Sequence, residues 1–394
     1  MSKLALFGGS PLREGPVPAF PEFGRGEEEA LLRAAGNFDA GLDSERRALE
    51  AAYCNFSGIR HTFAVTNGTV TLEMILRSLG IGRGDEVILP SYTFIATVSS
   101  VLFVGATPVF CDIEPDTFDL SAAAVEQKIT ERTRAVIPVY IGGRPADLDL
   151  FVPLCKKHGL YLIEDAAQAV GATWRDEPVG SFGEFGSVSC QASKNLTCGE
   201  GGLVLTNSDK NAERFAPYYL GEKGTGAPLG EMQSALLAAQ LTRLNYQMQI
   251  REANARLLDK RLSELGFVKP MKEDARITRH GLHLYIFRYF EEAMDYIPRA
   301  TFIKALSAEG YETAAGYSRP CHRSPILQSD YVRRIAPTLN LSDEGLDETV
   351  RAADRTGAWF YQSLLLGSRA ETERMADAFV KIYENRDELR KEIL

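Results

Sequence analysis

The sequence predicts an α/β fold, a three-layer αβα domain around a mostly parallel seven-stranded sheet, joined to a smaller α+β C-terminal domain. Three observations carry the prediction. Short β-branched runs recur from about residue 60 to 206, they are apolar throughout rather than alternating, and amphipathic stretches separate them. Unbroken apolarity marks strands buried on both faces, the condition of a parallel sheet covered by helices. A length of 394 residues allows two or three domains.

In chain order, residues 1–20 are rich in Gly and Pro and read as an N-terminal arm. Residues 21–245 then form the large domain, with strands at Thr62–Thr66, Glu86–Pro90, Pro108–Asp112, Ala135–Tyr140, Tyr161–Glu164, Ser187–Cys190 and Gly202–Thr206. Helical periodicity falls between several of them, at Val70–Leu79, Ile95–Val104, Ser121–Ile129 and Leu148–His158. Beyond Thr206 the alternation stops. Met232, Leu236, Leu237, Leu241, Leu244 and Met248 give a helix over Glu231–Leu265 that bridges two domains, with a break expected near Asn245. Residues 246–394 form the small domain, with a strand at His283–Phe290 and helices at Arg299–Glu309, Leu346–Leu365 and Glu371–Leu389.

Composition removes several function classes. The chain is 45% hydrophobic and 25% charged, with a net charge of -9 and no clustered basic stripe, so nucleic acid is not an expected partner. Apolar runs such as Val101–Val104 fall far short of the roughly 20 residues of a membrane span. The N-terminus carries no extended apolar core of a secretory signal. Six scattered cysteines without a CxxC pair read as reduced thiols and not as a zinc site. The expectation is a cytoplasmic metabolic enzyme without a metal.

In parallel α/β sheets ligands gather at the carboxyl ends of the strands. The first strand runs into Thr66-Asn67-Gly68-Thr69 and a helix, whose first N–H groups and positive dipole end suit a phosphate; an ordinary helix cap is the alternative. The fifth ends in Glu164-Asp165-Ala166-Ala167-Gln168, where one acid faces any ligand at the sheet's edge. A cationic heteroaromatic nitrogen would partner it, and a capping Asp beside a solvated Glu is the plain reading. The segment from Ser189 to Gly202 sets Lys194 among small residues ahead of a glycine-rich tail. Partial burial there would lower the lysine's pKa, as a carbonyl-attacking amine needs. Phosphate cradle, strand-end acid and buried lysine are the fixtures expected around pyridoxal phosphate.

Five motifs, TNGTVTLEM, PSYTFIATVSSVLFVGATPVFCDIEPDTF, TRAVIPVYIGGRPADLD, LIEDAAQAVGA and SKNLTCGEGG, stand in order along the chain. With them the chain resembles the DegT/StrS group of sugar aminotransferases, pyridoxal-phosphate enzymes of the type I aminotransferase fold. The resemblance implies the following roles. Lys194 is the Schiff-base lysine and proton shuttle, and Asp165 pairs with the pyridinium nitrogen. Gln168 contacts the ring's phenolic oxygen, and Ser189 binds the cofactor phosphate together with Gly68 and Thr69. Phe94 stacks on the pyridine ring, although a core Phe would look the same in sequence. The implied reaction is ping-pong transfer of an amino group from glutamate or glutamine to a keto-sugar or keto-cyclitol, by a homodimer with shared active sites.

One stretch departs from the family. Relatives carry an Asn-x-Arg or similar polar pair before the E-x-Q-A-A helix, where this chain has Gly226 and Pro228. The missing charge is expected from elsewhere, with Arg288 and Arg319 as the options. HGLHLYIFRY (280–289) and GYSRPCHRSP (316–325) resemble the acceptor-lining segments of members acting on keto-cyclitols, making Tyr317 and His322 the expected acceptor contacts. His280-x-x-His283 lacks further metal ligands and reads as structural. Two rivals remain. A non-catalytic regulator on the same fold would explain the altered 226–230 stretch, and the family's deoxysugar dehydratases carry histidine where this chain has Lys194.

Overall fold

The computed structural model describes residues 3–36, 43–223 and 226–393. Seven strands form the main sheet: β1 (His61–Val65), β2 (Glu86–Pro90), β3 (Thr107–Cys111), β4 (Thr133–Val136), β5 (Tyr161–Asp165), β8 (Phe185–Ser189) and β9 (Gly202–Thr206). Their spatial order is β1-β9-β8-β5-β4-β2-β3. Pairings from β8 through β5, β4 and β2 to β3 are parallel, and β9 alone runs against both of its neighbours. The expected mostly parallel seven-stranded sheet is present.

Continuous apolarity has the cause the sequence implied. Along β2, Val87 and Leu89 enter one core while Ile88 enters the other; along β9, Val204 and its neighbours Leu203 and Leu205 divide the same way. One core is closed by Leu72, Ile75, Val98 and Val101 of the helices Gly68–Ser78 and Ile95–Phe103. The other is closed by Leu49, Leu148, Phe151 and Leu244 from helices on the opposite face. Each such side chain contributes about 1.5–3 kcal/mol when fully buried.

Short strands complete the fold. β6 (Thr173–Trp174), β7 (Glu177–Pro178) and β11 (Ile277–Arg279) form a peripheral sheet; β10 (Val268–Pro270), β12 (Leu284–Tyr289) and β13 (Gly357–Tyr361) form the sheet of the C-terminal region, in the order β10-β12-β13. The expected break near Asn245 is absent: one helix runs from Glu231 to Leu262. Its first half sends Leu237, Leu241, Leu244 and Met248 into the large-sheet core, and its second half sends Ala255, Leu258 and Leu262 into the small-sheet core. One continuous helix thus contributes to both cores.

The expected helix at Leu346–Leu365 is also corrected. A helix of five residues, Asp347–Arg351, ends in a π turn at 352–356 and gives way to β13. The Arg299 guanidinium donates to the carbonyls of Ala352 (3.0 Å), Ala353 (2.7 Å) and Gly357 (2.7 Å), tying the end of the π turn to the start of β13, while Ala352 still accepts from the Gly357 N–H. Aromatic Trp359 and Phe360 then pack to opposite sides of the small sheet. The N-terminal arm lies against this region. Leu4 is fully buried there, the Ala5 and Leu12 N–H groups donate to the Glu309 carboxylate, and Arg13 pairs with Glu371.

Candidate active site

A cavity of about 550 Å³ opens at the carboxyl ends of β1, β5 and β8, beside the first residue of the reversed β9. Gly68, Thr69, Phe94, Asp165, Gln168, Ser189, Lys194 and Tyr317 all line it. Eight of the nine sequence-expected site residues therefore meet in one place, as the strand-end rule requires.

Each is placed by local structure. The Asn67 side chain caps the helix Gly68–Ser78 by accepting from the Val70 N–H at 2.9 Å, and the Gly68 and Thr69 N–H groups, which have no partner within a helix, begin the first turn. A Cβ on Gly68 would stand 2.8 Å from the Ser189 Cβ, and one on Gly202 would stand 2.8 Å from the Asn67 backbone. Glycine at both positions lets the helix start, the Ser189 hydroxyl and the β9 entry close on a common cradle. That cradle fits a phosphate.

Asp165 is buried at the end of β5. Its carboxylate accepts from the Thr97 hydroxyl at 2.8 Å and from the Ala167 N–H at 3.2 Å. Burial nonetheless holds its pKa above the ordinary carboxylate value, while Thr97, Ala167 and the Lys194 charge pull the other way. A cationic ring nitrogen would restore the ionised form, so the acid fits a pyridinium. Glu164 is no solvated neighbour. It is fully buried on the other side of the strand, accepting from the Tyr140 hydroxyl and from the N–H groups of Gly180, Phe182 and Gly183.

Lys194 sits half-buried in the turn between β8 and β9, where burial pushes its ammonium down to about 8 against the upward pull of Asp165. A lysine in this range holds a useful fraction of neutral amine near neutral pH. Gln168 is locked: its Oε1 accepts from the Gly142 N–H at 2.8 Å and its Nε2 donates to the Tyr317 hydroxyl at 3.1 Å. Phe94 is 60% exposed at the cavity's edge, which removes the core alternative.

His322 is not part of the lining. Its ring is fully buried between the Ser91 hydroxyl (2.7 Å) and the Asp343 carboxylate (2.8 Å), so it holds loop to loop and faces no acceptor. Arg288 is spent on Glu348 and lies over the Phe118 ring, Arg319 is exposed, and neither lines the cavity. The Gly226–Gly230 stretch runs beside β1, where Ala227 accepts from Thr66 and Leu229 donates to Ala64.

The sequence reading passed over Thr97 and Trp359 and took His283 as structural, yet all three line the cavity. Thr97 stands in the first turn of the helix that Phe94 caps, a closeness in sequence that could have flagged it. His280 and His283 part company, the former lining a different cavity.

The comparisons agree with this geometry. The family model for DegT/DnrJ/EryC1/StrS aminotransferases matches residues 28–350. A putative L-glutamine:3-amino-2,3-dideoxy-scyllo-inosose aminotransferase of Streptoalloteichus tenebrarius is 34% identical, over 99% of this chain and 100% of its own length. An L-glutamine:2-deoxy-scyllo-inosose aminotransferase of Streptomyces fradiae is 34% identical, over 97% and 98%. Among solved structures, 3-amino-5-hydroxybenzoic acid synthase superposes with a TM-score of 0.81 at 27% identity, covering 94% of this chain and 100% of that one. Sequence motifs, cavity and relatives thus converge, and the chain belongs to the DegT/DnrJ/EryC1/StrS aminotransferase family.

Proposed function

We propose that this aminotransferase moves an amino group from glutamine to the ketone carbon of a hydroxylated ring, a keto-cyclitol, using pyridoxal 5'-phosphate. The observation that carries the reading is Lys194, softened to a pKa of about 8 within a cavity that also holds the buried Asp165 and the Ser189–Gly68 cradle. The names of the 34% identical relatives support glutamine as donor and a scyllo-inosose as acceptor. A nucleotide-linked keto-sugar as acceptor, and glutamate as donor, are the outcomes that would redirect it.

Bound pyridoxal phosphate supplies the electron sink for the carbanion left when the substrate carbon loses its proton. Ser189 and the first N–H groups of the Gly68–Ser78 helix would hold the phosphate, with Thr69 beside them. Asp165, kept in place by Thr97, would stabilise a proton on the ring nitrogen by its charge. Phe94 would cover the ring and Gln168 would hydrogen-bond its phenolic oxygen. Lys194 would take the proton from the substrate carbon and give it back, as base and then acid. The same residues act in reverse on the acceptor ketone, giving ping-pong kinetics.

The enzyme works as a homodimer in the cytoplasm in this reading; among the described residues no helix is long and apolar enough to cross a membrane. Sedimentation should give twice the 43.4 kDa chain mass. The central test is spectroscopic. Protein as purified should carry a visible band that glutamine bleaches and 2-deoxy-scyllo-inosose restores. A band that no amino donor changes would favour the non-catalytic regulator, and restoration only by nucleotide-linked keto-sugars would sink the cyclitol.

A further inference from the structure

The cavity that His280 lines, about 600 Å³ in volume, lies outside the catalytic one and is slightly larger. It sits between the second half of the helix Glu231–Leu262, the strand β12 and the 271–275 segment. Buried Ala255, Leu282, Leu284 and Ile286 give it an apolar floor, which the partly buried Met271 and Ile277 extend. Leu284 lines both cavities, so the two share a wall at that residue.

Two polar atoms open into this space. Asp259 accepts from the Tyr285 hydroxyl at 2.6 Å through one oxygen, and its other oxygen has no partner among the described residues. His280 Nδ1 accepts from the Leu282 N–H at 2.9 Å, and its Nε2 is likewise unpaired. Neither free atom is sealed off: both residues keep part of their surface exposed, and neither atom is among the buried unpaired ones. Burial and the Arg144 charge hold the His280 pKa down to about 3, so the ring is neutral. With Nδ1 accepting, the ring hydrogen sits on Nε2, which can only donate.

The charges around the cavity leave one carboxylate over. Arg256 pairs with Glu252 at 2.7 Å, Arg144 with Asp119, and Asp274 with Arg276 at 2.7 Å. Lys272 and Glu273 are exposed neighbours of opposite sign. Asp259 forms no ion pair among the described residues. Burial pushes its pKa up to about 6 against the Tyr285 hydroxyl, and the Glu273 charge adds to the rise. A cation arriving beside it would restore the ionised form. An apolar cavity with a few convergent polar groups is the usual form of a small-molecule site. Its ligand would bring a cationic donor for Asp259, an acceptor for the His280 Nε2–H and carbon surface for the floor. A ring carrying an ammonium group, hydroxyls and CH faces has all three, whereas a ketone or a plain polyol lacks the cation.

We propose that this cavity is a second ligand site, one that takes a hydroxylated cyclic amine and rejects the corresponding uncharged ketone. The inference rests on the proposed function in one respect: that reaction turns such a ketone into such an amine, so the site reads product against substrate.

The test is calorimetric and uses holoenzyme whose cofactor linkage to Lys194 has been reduced with borohydride, so that no aldehyde remains to capture an amine. The probe is trans-4-aminocyclohexanol, and 1,4-cyclohexanediol is its uncharged match. The amine should bind once per chain and at least roughly tenfold more tightly than the diol, the scale of a hydrogen bond to a charged group. Asp259→Asn keeps an acceptor for the Tyr285 hydroxyl and should lose that preference. Ala275→Trp fills the cavity from an exposed position and should abolish binding, whatever Asp259→Asn does to the local packing. An unchanged visible band before reduction shows that each variant is folded around its cofactor. Equal binding of amine and diol by the parent, or amine binding that both variants leave unchanged, would overturn the assignment. A parent that binds the amine here but aminates no hydroxylated cyclic ketone keeps this site and sinks the proposed function. A parent that aminates the ketone yet does not bind the amine after reduction sinks the inference alone.

Discussion

On the cavity wall built by the large sheet Asp165 and Gln168 are held by partners on both sides, whereas the wall built by the small sheet has two polar atoms with none among the described residues. Asp165 accepts from Thr97 and Ala167, and Gln168 is held between Gly142 and Tyr317. Across the cavity, His283 Nδ1 and Trp359 Nε1 have no hydrogen-bond partner among the described residues. A wall that pairs its own groups is preorganised for something that stays, and electrostatic preorganisation is what a resident cofactor needs. The facing wall, where both nitrogens are buried without a partner, shows no such preorganised polar set. The large-sheet side is thus the permanent one.

The largest break in that picture comes at Lys194. Lys194→Ala should lose about 10²–10⁴-fold in turnover with cofactor bound, the range of a positioned acid–base group, read from single-turnover bleaching. Its titration has a checkable sign in the cofactor-free protein. The folded pKa of about 8 lies below the roughly 10.4 of an unfolded lysine, so the unfolded chain holds more protons between those values. Stability relative to Lys194→Met should rise with pH across that window and stay level below it, where the penalty of the buried charge is fully present. Thermal melts of both proteins from pH 6 to about 10 would show a constant difference if the lysine were not shifted.

Asp165→Asn comes next, with a loss on the order of 10²-fold in both half-reactions, since it removes charge from the permanent side. It should also lower the Lys194 pKa further, because the Asp165 charge holds it up. A loss confined to one half-reaction would contradict the division of the walls. Thr97→Val should cost about tenfold at neutral pH. Its hydroxyl depresses the Asp165 pKa, so its removal raises that pKa and moves the acid limb of the rate profile to higher pH. The smallest effect belongs to His322→Asn. Outside both walls, it should lower stability by about 1–2 kcal/mol through the Ser91 and Asp343 contacts. The glutamine half-reaction should be left within about twofold, and a larger change there would return His322 to the site.

The permanent wall was readable because its parts are short and continuous. Asn67 to Thr69, Glu164 to Gln168 and Ser189 to Gly202 each follow a strand directly, so the strand end fixes where they go. The dipeptide Glu164-Asp165 shows the limit of that reading. Period two sends the acids to opposite sides, yet only the Tyr140 hydroxyl and the 180–183 turn decide that Glu164 is held inside. His322 was misplaced for a related reason, since the buried Ser91 hydroxyl that it meets lies far from it in the chain and Asp343 belongs to another loop.

By itself the sequence determined the layered sheet, the family and the floor of the cavity, because strand burial and strand-end motifs are encoded within a few neighbouring residues. Tertiary structure alone decided the facing wall. β12 and β13 come from distant segments, and Gly357–Tyr361 is paired along its whole length with β12, its start tied to Arg299. His283 and Trp359 become neighbours of Lys194 through that pairing, a contact no local pattern could specify.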